Sequence, residues 1–150
     1  MTLDASLSVL HWWAVLLLIA TLVGEKVLIS GVADARTVQR LSRYDLAYGL
    51  AALLVLAAGF VRATHGAKGW AFYAGNPMFW AKIGLFVLIG LMSIPPTIAF
   101  RRWKKSLAGQ PGAVVEAGRV APVRRWIDLE LTLLALIPVA AAMMARGIGF

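Results

Sequence analysis

Five residues of this chain set a basic or imidazole group beside long apolar segments: His11, Arg62, His65, Lys82 and Arg146. His11 stands near the head of "SVLHWWAVLLLIATLVGEKVLIS", residues 8–30. An imidazole in an apolar bundle can ligate haem iron, and the two haem propionates call for cationic partners. His11 is therefore the candidate axial ligand of a b-type haem, the only metal role read here. Arg62, His65, Lys82 and Arg146 are the candidate cofactor-binding neighbours, with Lys68 as a further cation near the propionates. Lys82 is also the one candidate for catalysis. A lysine at the centre of a span costs about 2.5–3.5 kcal/mol on insertion scales, so it reads as functional by default. The competing reading is that its stem lifts the ammonium back to the interface. His11 has a competing reading too, as a hydrogen-bonding histidine beside Trp12 and Trp13, and His65 as a residue at the water line.

Other chemistries are excluded. Two histidines and no cysteine cannot build a three-His or thiolate zinc site. No HExxH, P-loop, Rossmann glycine pattern or Ser-His-Asp set is present. The carboxylates Glu25, Asp45, Asp128 and Glu130 fall at the opposite ends of their segments from the cations, where basic residues of the connections can pair with them. Glu25 is fourteen residues from His11, hence on the same helical face but about 21 Å away. Beside Lys26, it is expected to mark an interface rather than to share a substrate with His11.

The elements that must position these residues follow from composition. The chain has 150 residues and is 61% hydrophobic, against about 45–50% in ordinary soluble domains. The excess lies in four blocks, about 7–29, 46–63, 77–99 and 127–145, each near the roughly 20 residues a helix needs to span a bilayer. Backbone polar groups in lipid must be satisfied internally, so the blocks are helices, and no alternating strand pattern suggests a barrel. Asp45 is expected to cap the second helix, and Asn76 with Pro77 to open the third. Pro95–Pro96 should break or kink the third near its far end, and Pro138 should kink the fourth.

The net charge of +8 sits in short connections, which is a topology signal rather than a nucleic-acid footprint. Arg36, Arg40 and Arg43 fall in the first connection, and Arg101, Arg102, Lys104, Lys105, Arg119, Arg124 and Arg125 in and around the third. Both should be cytoplasmic, with both termini periplasmic. The "RRWKK" cluster would meet anionic lipid headgroups, and "LAGQPGAVVEAGRVAP" reads as a flexible connection. Trp12, Trp13, Trp70 and Trp80 form an outer aromatic belt, and Trp103 and Trp126 an inner one. "MTLDAS" carries no Lys or Arg, so the first block is read as a span rather than a cleaved signal. The fold expected is all-α: a single four-span up-down bundle in a bacterial inner membrane.

"LHWWAVLLLIATLVGEKVL", "RYDLAYGLAALLVLAAGFVR", "GNPMFWAKIGLFVLIGLMSIPPTIAF" and "LELTLLALIPVAAAMMARGIG" together resemble an uncharacterised bacterial four-span membrane family, a domain of unknown function. The resemblance covers nearly the whole chain. A more distant likeness is to the HemJ-type protoporphyrinogen oxidases and to CopD-like membrane proteins. The "LH" at His11 and the lysine of "FWAKIGLF" at Lys82 match HemJ-type residues implicated in haem binding and activity, and the resemblance implies those roles here. The Pro-Arg motif closing the first HemJ-type span has no counterpart in "GEKVLIS", nor the later histidine in "SIPPTIAF".

The leading expectation is thus an inner-membrane protein binding b-type haem near its periplasmic face. Any enzymatic role would be that of a haem-linked membrane oxidoreductase. A non-catalytic accessory or assembly subunit of a larger membrane complex is the first alternative, suggested by small-residue stripes such as Ala52, Gly59 and Gly66. A small-solute or metal-ion transporter using Lys82 and Glu25, working as a homo-oligomer, is the second.

Overall fold

A computed structural model describes residues 3–66 and 68–146. Gly147–Gly149, the end of the "MARGIG" motif, lie outside the described residues. The elements are α1 (Leu3–Ile29), α2 (Ala35–His65), α3 (Gly69–Ala74), α4 (Pro77–Met92), α5 (Ile94–Leu107) and α6 (Ala117–Ala145). Among the described residues there is no strand, only one antiparallel bridge between Asp34 and Val114. Four helical stretches are long and apolar enough to cross a membrane: α1 from Ala5, α2, α4 with α5 through Ser106, and α6.

The second helix begins well before its apolar block. Its N-cap is Asp34, whose carboxylate accepts from the Thr37 N–H at 2.7 Å, and Asp45 lies inside the helix. The expected cap at Asp45 is therefore corrected. Hydropathy marks where a helix meets lipid, whereas Arg, Gln and Leu sustain helix beyond it. Arg36, Arg40 and Arg43 are the exposed face of this extension. The third span starts as the sequence indicates: Asn76 accepts from the Met78 N–H at 2.8 Å, with Pro77 in the first turn. It breaks at Ser93, between α4 and α5. Pro95 and Pro96 occupy the first turn of α5, where a missing N–H leaves no intrahelical bond unmade. Pro122 and Pro138 both lie inside the unbroken α6.

The third connection is tied down rather than loose. The Val115 N–H donates to the Ala33 carbonyl at 3.0 Å, and positive φ at Gly109 and Gly112 turns the chain toward that contact. Pairing between two connections is invisible to composition, which is why the segment reads as flexible from sequence alone.

The helices form a ring: α1 packs on α2 and α6, α4 and α5 pack on α6, and α5 also packs on α2. We call the end carrying the first and third connections the basic end, and the end carrying α3 the terminal end. Leu18, Leu22, Ile29, Leu41, Phe100 and Ile127 are fully buried and centre the core toward the basic end. Trp103 belongs to that core, its ring centroid 5.8 Å from that of Phe100, so it is not the belt residue expected. Leu53, Phe60, Val87, Leu91 and Val139 are exposed on the outside of the ring, where lipid tails supply the contacts that water would not. Between such helices close packing, rather than hydrophobic transfer, holds the bundle together.

The terminal half is more open. The only buried residue of α4 is Ile89, near its inner end. Among the described residues, no Cα of α4 comes within 8 Å of one in α1 or α2. There α3 bridges α2 to α4 through aromatic contacts. Trp70 packs on Phe60 and Phe79 at centroid distances of 6.4 and 6.1 Å, and Tyr73 meets Phe79 at 5.6 Å.

Candidate functional site

His11 sits on α1 facing α2, and its neighbour there is Gly59. A Cβ at Gly59 would lie 3.3 Å from the imidazole Cε1 and 3.6 Å from Nδ1, so the glycine lets the ring rest against the α2 backbone. The Val55 carbonyl, one turn from Gly59, lies near the ring, while Nδ1 is buried with no hydrogen-bond partner. The charges of Arg62 and Lys82 both act on the imidazole. The Arg62 Nε is likewise buried without a partner. The Lys82 ammonium lies 5.9 Å from the Phe79 ring centroid, at the outer reach of a cation–π contact. Three of the five sequence-predicted residues, contributed by α1, α2 and α4, are thus brought together.

The other two are not. His65 is exposed, and its Nδ1 lies 2.7 Å from the Thr64 hydroxyl. Arg146 is exposed at the C-cap of α6. Lys68, the further cation, lies 4.4 Å from the Phe72 ring centroid. Among the described residues no group of three or more His, Asp or Glu is placed to hold a metal ion.

Toward the basic end the structure assembles a second polar group that sequence reading treats as interface. Glu25 and Glu130 are 2% and 1% exposed. One Glu25 oxygen and both Glu130 oxygens are buried without a hydrogen bond. Tyr48, also buried, faces both carboxyl groups. Asp45 is half-buried, receives a hydrogen bond from the Thr97 hydroxyl at 2.5 Å, and has Arg101 nearby. Lys26 turns away from Glu25 and pairs with Asp128 of α6. That pair is half-exposed and, by analogy with exposed pairs in water, worth about 0.2–1 kcal/mol.

Glu25 thus lies inside the bundle rather than on its surface, and a signal for that exists. Ala14, Leu18, Leu22, Glu25 and Ile29 are the buried positions of α1 with Thr21, spaced by threes and fours as one helical stripe. Glu130 continues the Val123, Ile127, Leu134 stripe of α6 in the same way. Both carboxylates occupy core positions, whereas Lys26 lies about 100° round the helix from Glu25 and Asp128 about 160° round from Glu130.

Residues 3–149 match the family described as Predicted membrane protein (DUF2214). The chain belongs to that family. No curated protein and no solved structure matches it. The family description agrees with four membrane-spanning helices and assigns no activity. The two polar groups, His11–Arg62–Lys82 at the terminal end and Glu25–Glu130–Tyr48–Asp45 at the basic end, are thus the features of this DUF2214 member from which a function can be argued.

Proposed function

We propose that the protein binds b-type haem in the terminal-end half of its bundle, with His11 as axial ligand and Arg62 and Lys82 as partners of the propionates. The observation that carries this reading is a His11 imidazole whose Nδ1 is buried and unpartnered and on which the charges of Arg62 and Lys82 both act. A metal-ligating histidine commonly holds its other ring nitrogen on a backbone carbonyl, which fixes the tautomer and raises ligand basicity; the Val55 carbonyl lies near the ring. The donor set therefore fits the group. The open packing of α4 against α1 and α2 supports the same reading, because a planar ligand between helices needs their backbones kept apart. When bound, haem supplies one-electron chemistry. The chain's own part is to hold the imidazole against Gly59, to place two positive charges, and to close the site from water with the aromatic contacts of α3.

The setting that goes with this reading is a bacterial inner membrane. The arginine-rich connections would face the cytoplasm and anionic headgroups, and both termini the periplasm, by the positive-inside bias. Titration of haem into the detergent-solubilised protein, followed by absorbance, tests the proposal. Tight binding by the wild type, weakened in Arg62→Gln and Lys82→Gln, is expected. Haem binding that ignores both substitutions overturns the assignment of the propionate partners.

A further inference from the structure

We propose that Glu25 and Glu130 form a proton-exchange site inside the bundle, supplied with protons from the aqueous side at the basic end through Asp45. This does not rest on the haem reading, because the two groups of residues lie at opposite ends of the bundle.

The first support is the state of the carboxyl groups. Both side chains are almost wholly enclosed, and within hydrogen-bond geometry three of their four oxygens have no partner, the Tyr48 phenol beside Glu130 being the neighbour nearest to one. A buried carboxylate without compensation is among the costliest groups a fold can carry. The charged groups around it do not neutralise it. On α1, Lys26 is engaged by Asp128 of α6. On α2 the facing groups are the Tyr48 phenol and the Asp45 carboxyl, and on α5 Arg101 stands beside Asp45. Among the described residues, no group of three His, Asp or Glu is placed to hold a metal ion. A proton is the cation that needs no ligand shell.

The second support is a route. An open groove of about 460 Å³ between α2 and α5 has Ser42, Asp45, Thr97, Arg101 and Lys104 on its polar side, toward the basic end, and Leu46, Leu50 and Leu53 on its apolar side. Asp45 is therefore at the edge of that groove, and its charge reaches both Glu25 and Glu130. Tyr48 lies three residues further along α2, about 4.5 Å deeper on the same face, beside Glu130. A hydronium in the groove protonates the Asp45 carboxylate. That proton passes to a Glu25 or Glu130 oxygen, one O–H bond breaking as another forms, and no electrons are transferred.

The test is infrared spectroscopy of the protein in lipid nanodiscs, in H2O and after transfer to D2O. The expected result is a carbonyl band of a protonated carboxyl group at neutral pH. It should be lost in the Glu25→Gln/Glu130→Gln double variant and shift to lower frequency in D2O. Asp45→Asn should slow that shift several-fold. Labelling by dicyclohexylcarbodiimide, an apolar reagent that adds to protonated carboxyl groups, should map to Glu25 or Glu130 by mass spectrometry of the wild type, so the answer does not depend on a variant folding. Absence of the band together with absence of labelling overturns the proposal. So does a band that never shifts in D2O. An unchanged exchange rate in Asp45→Asn overturns the Asp45 route.

Discussion

The imidazole of His11 rests on the α2 backbone at Gly59, where a Cβ would stand 3.3 Å from its Cε1. This contact sets both the depth of the ring and the direction of its unpartnered Nδ1. It also makes Gly59 a residue that acts through another. Alanine at this position gains about 0.5–1 kcal/mol of helix stability over glycine, but the ring must yield by a few tenths of an ångström. Gly59→Ala is expected to leave the protein folded and to shift the absorbance of bound haem. Gly59→Leu should displace the imidazole and abolish binding. A Gly59→Leu protein with wild-type haem affinity contradicts the geometry.

A second glycine makes a different close approach. A Cβ at Gly24 would overlap the Tyr44 ring, so α1 and α2 pack there by virtue of the missing methyl group. Gly24→Ala is expected to destabilise the bundle by about 1–3 kcal/mol, the usual cost of overpacking. Tyr44→Ala should relieve most of that loss. Thermal unfolding of the two single variants and the double variant measures it, and additive effects would show that the ring is not the obstacle.

The Lys26–Asp128 pair joins α1 to α6 but remains partly exposed. Asp128→Asn is expected to lower stability by no more than about 1 kcal/mol, with the difference shrinking at high salt. A loss several times larger would mean that Asp128 holds the buried carboxylate group together, which its exposure argues against.

Asp34 is expected to contribute to acid sensitivity at the basic end. The Thr37 backbone hydrogen bond foremost, with the Thr37 hydroxyl and the Arg36 and Arg40 charges, holds the Asp34 carboxyl below its usual range. The unfolded chain takes up this proton near pH 3.9, while the folded chain resists until a lower pH. The contribution is thus complete above about pH 3.9 and is lost as pH falls through the folded value. Asp34→Asn keeps a capping acceptor and removes the charge. Its thermal stability should fall less steeply on acidification than that of the wild type. Equal slopes would place the acid sensitivity elsewhere.

Four helices and the terminal-end group were legible because their signals are local. Apolar run length gives the spans, Asn76–Pro77 and Pro95–Pro96 give the ends of α4, and His11 and Lys82 stand out against lipid. The start of α2 was not legible from hydropathy, since Asp34 caps a helix whose first turns lie outside its apolar block. The buried state of Glu25 was hidden by its neighbour Lys26. Adjacency in sequence suggested an interface, whereas the three-and-four spacing with Leu18, Leu22 and Ile29 put it in the core. Nothing in the sequence indicated that Val115 would pair with Ala33, because that bond joins backbones about eighty residues apart.

The absorbance spectrum of the purified protein in mild detergent, after haem supplementation, decides whether His11 ligates haem. A Soret band is expected that His11→Ala removes and His65→Ala leaves intact, since the half-buried His11, unlike the exposed His65, feels the charges of Arg62 and Lys82. A colourless wild-type preparation, or a band that survives His11→Ala, would contradict that ligation.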